Sequence, residues 1–156
     1  MSSLNSYLEH PAIEKLIKDL EPTFAKLPKL PQSIIDILVT ITPYLALLGA
    51  IASLIIGPFA VLGTVFSLLT LNPAIVFVTL LSAVMLFVQA VLMFMAFKPL
   101  KAREYRGWYL MFVSELISLA QSIVGLILNL GGIVGIVIGF AIGFYLLFQV
   151  KKEYKK

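Results

Sequence analysis

The chain has 156 residues, 60% hydrophobic and 13% charged, with no cysteine, a net charge of +4 and a mean hydropathy of +1.02. A soluble domain averages about 25% charged residues, so there is too little polar side chain here to cover a water-facing exterior. The absence of cysteine excludes disulfides, thiolate catalysis and Cys-ligated metal centres, and the length suits one compact domain.

The first polar stretch lacks a basic region running directly into a short apolar one, so it does not read as a signal peptide. Ile13, Leu16, Ile17 and Leu20 recur at helical spacing, with Glu14, Lys15, Lys18 and Asp19 on the other faces. This predicts an amphipathic helix started by Pro11, its apolar face on the bilayer or on the cytoplasmic end of a bundle. Pro22, Pro28 and Pro31 follow as a stiff linker, so residues 1–32 form a cytoplasmic, partly interfacial segment.

Ser33 and Asp36 have the spacing of a capping box. The first span is read over residues 33–56, kinked at Pro43 and ended by Gly57–Pro58. At ~1.5 Å per residue the apolar stretch 59–71 reaches only ~20 Å, short of the ~30 Å hydrocarbon core. It is expected to be a re-entrant or interfacial half-helix, the alternative being a thin span. Asn72–Pro73 is a cap followed by proline at the first helical position, and opens a second span over 73–97. A third span covers 107–129, with Trp108 and Tyr109 expected in an interfacial aromatic belt. After a turn at 129–132 a fourth span covers 133–150, leaving 151–156 as a basic tail. The fold class is an all-α membrane protein: a four-transmembrane-helix bundle preceded by an amphipathic interfacial helix.

No charge occurs between Asp36 and Lys98 or between Glu115 and Lys151. The twelve Lys and Arg fall into three groups: Lys15, Lys18, Lys26 and Lys29; Lys98, Lys101, Arg103 and Arg106; Lys151, Lys152, Lys155 and Lys156. Short basic loops stay in the cytoplasm, so all three groups belong on one face, with an even number of crossings between them. Both termini are therefore expected in the cytoplasm of a cell membrane of prokaryotic type. The positive charge is read as topology and attraction to anionic lipid rather than as nucleic-acid binding.

Glu115 lies nine residues past Arg106, hence ~13 Å inside the third span at the helical rise. An ionisable residue at such depth usually faces protein or water. If the central loop turns symmetrically about Ala102, Gln89 comes level with Glu115; if the last hairpin turns about Leu130, Tyr145 does too. Glu115, Ser118 and Ser122 form one polar stripe, flanked by Gln121. The stripe is either a proton or solute path or a hydrogen-bonded seam between helices. Gly131, Gly135, Gly139 and Gly143 repeat every fourth residue in the fourth span, which predicts close helix packing, within the chain or in a homo-oligomer. Ala46, Ala50, Ser53 and Gly57 form a looser version in the first span.

His10, the only histidine, precedes the spans, so a Ser-His-Asp triad or a His-ligated haem or zinc within the membrane is excluded. No GxxxxGK[ST] phosphate loop occurs. No catalytic residue, cofactor or metal is expected, and the expected partners are the lipid bilayer and further copies or subunits. The function is read as that of a non-enzymatic structural, assembly or accessory subunit, the alternative being a small oligomeric channel or carrier with a polar path at Glu115. A dry layer around Glu115 favours the first and a polar cavity the second. Single cysteines at Ser2, Ala102 and Lys156 are predicted to resist an impermeant external thiol reagent. External labelling of Ser2→Cys alone would place an odd number of crossings before the central loop.

Overall fold

The computed structural model describes residues 10–127 and 132–155. In chain order the helices are α1 (Pro11–Ala25), α2 (Gln32–Ser67), α3 (Pro73–Lys101), α4 (Tyr105–Ile127) and α5 (Ile133–Val150). Short 3-10 turns follow α2 (Leu68–Thr70) and α5 (Lys151–Glu153). Helices α2 to α5 are each long and apolar enough to cross a membrane. The protein is an all-α, four-helix membrane bundle with an amphipathic helix ahead of it.

Helix α1 begins as its sequence predicts, with Pro11 in its first turn and His10 Nδ1 accepting from the Ala12 amide at 3.3 Å. Its apolar face lies on the end of the bundle. Ile17 is 1% exposed, and Phe24 stacks on Phe148 with ring centroids 4.8 Å apart. Burial of a side chain of this size is worth about 1.5–3 kcal/mol. The linker is then tied to α5. Tyr145 Oη and Gln149 Nε2 both donate to the Pro28 carbonyl, at 2.7 and 3.1 Å, and Gln149 Oε1 accepts from the Leu30 amide at 3.3 Å.

Two expectations for α2 are corrected. The capping box does not form: Pro31 takes the cap without a side-chain bond, and Asp36 instead accepts from Gln32 Nε2 at 3.1 Å. With the helix starting at Gln32, Ser33 already lies inside the first turn. Second, Gly57–Pro58 does not end the helix, and residues 59–71 are not a separate half-helix; α2 runs on to Ser67. Pro58 removes one backbone bond, whereas ending a helix in an apolar medium strands several polar groups at a few kcal/mol each. Continuing is therefore cheaper than stopping. At ~1.5 Å per residue α2 is ~54 Å long, well beyond the ~30 Å hydrocarbon core, so it crosses tilted or extends past one interface. The chain reverses at Leu71, with φ 52°, and Asn72 Oδ1 caps α3 by accepting from the Ala74 and Ile75 amides.

Small residues let α2 and α3 approach closely. Ala46, Ala50 and Gly57 are buried on α2, as are Ala83, Ala90 and Ala96 on α3. A Cβ at Gly57 would lie 3.0 Å from the Phe87 ring, and one at Gly49 3.0 Å from Met93 Sδ. At the other end of α3, Arg103 in the left-handed region (φ 55°) closes a tight turn into α4. Gly107 there meets backbone: a Cβ would sit 2.5 Å from Leu100 N and 2.8 Å from Pro99 C.

The core sits at this same end, where the three basic groups meet. The tail pairs with the α3–α4 turn, Tyr105 N donating to Lys155 O (2.7 Å) and Lys155 N to Arg103 O (3.0 Å). The amide of His10 donates to Tyr109 Oη at 2.9 Å. Trp108 and Tyr109 do not form an interfacial belt. They are 0% and 2% exposed: Trp108 lies inside an aromatic cluster with Phe112, Phe144 and Phe148, and Tyr109 tilts against Tyr105. A buried indole N–H needs an acceptor, and Trp108 Nε1 finds the Leu147 carbonyl at 2.7 Å. Gly107→Ala should lower stability by about 1–3 kcal/mol, since the added methyl meets backbone that cannot rotate away. Gly63→Ala, with open space around its site, should leave the melting temperature in detergent unchanged or slightly raised; similar melting of the two variants would contradict this packing.

Candidate functional site

Between the four spans, near the basic end, lies a cavity of about 240 Å³. Helix α2 brings Leu38, Thr42 and Leu45 to it; α3, Met93; α4, Trp108, Met111, Ser114 and Glu115; α5, Gly143 and Leu146; the tail, Tyr154. Most of the wall is therefore apolar, and Glu115 supplies its only formal charge. No hydrogen bond or ion pair joins the Glu115 carboxylate to any other described residue.

Ser114 and Tyr154 share this wall, at 3% and 5% exposure, and the hydroxyl of neither has a hydrogen-bond partner among the described residues. A buried hydroxyl left in this state costs about 1–3 kcal/mol. Burial pushes the Tyr154 hydroxyl up to about 12, against the opposing pull of the Arg103 guanidinium and of nearby Thr42. Tyr154 thus keeps its proton at neutral pH. Thr42 directs its own proton to the Leu38 carbonyl at 2.6 Å, and no bond of ordinary geometry reaches the Tyr154 oxygen.

The residues expected around Glu115 are placed differently. Gln89 Nε2 donates to Ser118 Oγ (2.9 Å) and Gln121 Nε2 to Ser82 Oγ (2.9 Å). Ser118 and Ser122 also donate to carbonyls one turn back, at 3.1 and 2.9 Å. Ser118, Gln121 and Gln89 therefore form a seam between α3 and α4 without Glu115. Gln89 thus meets α4 at Ser118, about one helical turn past Glu115. Tyr145 is also absent from the site and faces the Pro28 linker. Gly143 takes its place. The Glu115 carboxylate occupies the point a Cβ on Gly143 would need, its Cδ 3.2 Å away. Two residues of helix are a rotation of ~200°, so a two-residue error in register exchanges one face of α5 for the other.

The glycine run divides accordingly. Gly143 is at the cavity, Gly135 and Gly139 have no described atom within 4 Å of an added Cβ, and Gly131 lies outside the described residues. Among the described residues Gly135 and Gly139 thus have no close neighbour. Ser114, Tyr154 and Thr42 were not anticipated. Ser114 had a signal, being beside Glu115 and one turn before Ser118; Tyr154, beyond the last span, had none.

A second cavity, about 310 Å³, lies between the end of α1 and α5. Of its lining, Gln32 Nε2 donates to Glu153 Oε1 at 3.2 Å and Glu21 pairs with Lys151 at 2.7 Å, contacts that help clamp α1 to the bundle. Among the described residues no cluster of His, Cys, Asp or Glu could hold a metal ion. Comparison with protein-family models, curated proteins and solved structures finds no match.

Gly143→Ala should displace the carboxylate and lower the melting temperature in detergent, while Gly139→Ala should be neutral or slightly stabilising. Equal behaviour of the two would mean that Gly143 does not face Glu115. Glu115→Leu should raise stability, by up to about 2–3 kcal/mol on the insertion scale for intramembrane charge, because no partner is orphaned.

Proposed function

We propose that this chain is a small, non-enzymatic membrane protein that binds a solute within its bundle, as a channel or carrier does. The observation that carries this reading is the Glu115 carboxylate, unpaired among the described residues, on a cavity between all four spans. A purely structural carboxylate would be expected inside the seam of Gln89, Ser118, Ser82 and Gln121, where donors are available. Glu115 instead adjoins open volume and has neither histidine nor lysine beside it for bond-making chemistry. The basic end is taken as cytoplasmic in a cell membrane, following the positive-inside rule. Four spans seldom enclose a continuous pore alone, so passage across the bilayer requires self-association. The open Gly135 and Gly139 positions suit that purpose.

A second reading, an accessory subunit, is favoured by the same open glycine face, which would then receive a different protein. The two readings separate at Glu115. In proteoliposomes the parent chain should dissipate an imposed ion or pH gradient, and Glu115→Gln should abolish this without loss of thermal stability. A Glu115→Gln protein that dissipates the gradient as the parent does, or a parent that dissipates none, would return the chain to the accessory class.

A further inference from the structure

What the cavity holds is constrained by charge, wall and size. Glu115 has no ion pair among the described residues, while two cations of the basic end have carboxylates of their own: Lys151 lies 2.7 Å from Glu21 and Arg103 4.0 Å from Glu153. A carboxylate with apolar neighbours is stabilised by a positive charge or by N–H donors. Ser114 and Tyr154, each more than nine-tenths buried, add two unpartnered hydroxyl oxygens to the same wall. A hard inorganic cation takes a close shell of six or more oxygens, but Leu45, Met93, Met111 and Leu146 make much of this wall apolar. A volume of about 240 Å³ matches roughly eight waters at ~30 Å³ each, below the ~300–1,000 Å³ of drug-sized sites.

We propose that the cavity binds a small alkylammonium ion, an inference that rests on the reading of Glu115 as part of a solute site. The ammonium N–H groups meet the Glu115 carboxylate and the Ser114 and Tyr154 oxygens. The alkyl portion lies against the leucines and methionines. A phospholipid headgroup ammonium would carry its phosphate in beside Glu115, so a free amine is the better occupant. Trp108 forms part of the wall and is the only tryptophan in the chain, so its fluorescence reports occupancy directly.

The test is titration of the full-length protein in detergent micelles with n-butylammonium chloride, followed by that fluorescence. A saturable change is expected, absent with sodium chloride at equal ionic strength. Affinity should be weaker by about tenfold or more for neutral n-pentanol and for the Glu115→Gln variant, as expected when a charged hydrogen bond is lost. Glu115→Asp should recover part of the binding, which separates loss of charge from misfolding. Equal titration by n-pentanol and n-butylammonium, undiminished binding to Glu115→Gln, an equal response to sodium, or a response only to phosphatidylethanolamine micelles would each overturn the proposal. Binding of n-butylammonium without gradient dissipation would leave this inference standing and remove the transport reading. Dissipation without an n-butylammonium response would do the reverse.

Discussion

The hydrogen bond from the Trp108 indole to the Leu147 carbonyl, at 2.7 Å, fixes how α5 meets the rest of the bundle. Farther along, Gly135 and Gly139 of α5 have no described neighbour within 4 Å of an added Cβ, so the rotation of α5 is set at the basic end. There the stacked rings of Trp108 and Phe112, with Phe144 and Phe148 edge-on to Phe112, form a thick joint. The joint admits few rotations of α5, because a one-residue slip turns a helix by ~100° and takes the Leu147 carbonyl away from the indole. The same rotation that satisfies Trp108 puts Gly143 opposite Glu115.

Two kinds of helix contact coexist in this bundle, and the cavity follows from their difference. Helices α2 and α3 meet through alanine and glycine, so their backbones approach closely and leave little space between them. Helices α4 and α5 are joined by aromatic side chains, which hold backbones farther apart. Where the close pair and the propped pair come together, the volumes do not match, and the remainder is the space lined by Thr42, Ser114, Glu115 and Tyr154. The tail completes it: the backbone bonds from residues 103–105 to Lys155 place the adjoining Tyr154 at the basic end of that space.

Much of the architecture was legible because it depends on composition over long windows. Charge-free stretches of twenty or more residues admit few structures in an apolar solvent, so the helices and the grouping of the basic segments at one end could be read directly. Asn72–Pro73 was legible because capping is local. The fate of Gly57–Pro58 was not, since a soluble-protein rule for helix ends loses its force where water cannot receive the freed backbone groups. Trp108 misled in a related way: its residue type suits an interface, but burial depends on the Leu147 carbonyl, which only tertiary packing supplies. At the site, Glu115 stood out as a lone intramembrane charge, while its neighbours depended on register. Gln89 bonds Ser118 and Tyr145 bonds the Pro28 carbonyl, while Ser114 and Gly143 take their places at the cavity, changes invisible to residue counting.

Three local rules are broken within this one space. Among the described residues a carboxylate has no partner, two buried hydroxyls have none, and the carboxylate occupies the place of a side chain that Gly143 lacks. Each departure alone admits a bland explanation, but natural sequences otherwise agree across levels and tend to break such rules at functional sites. Scarcity of donors does not account for them. Within two turns on the same helix, Ser118 and Gln121 each bond to α3. The difference is one of direction: three residues turn a helix by ~300°, so Glu115 points ~60° away from Ser118, towards α5 and the open volume. At the basic end of α4, Gly107 lies directly against the Leu100 backbone, so α3 and α4 meet there at one close contact. From that contact α4 carries Ser118 and Gln121 to the seam and Glu115 to the cavity.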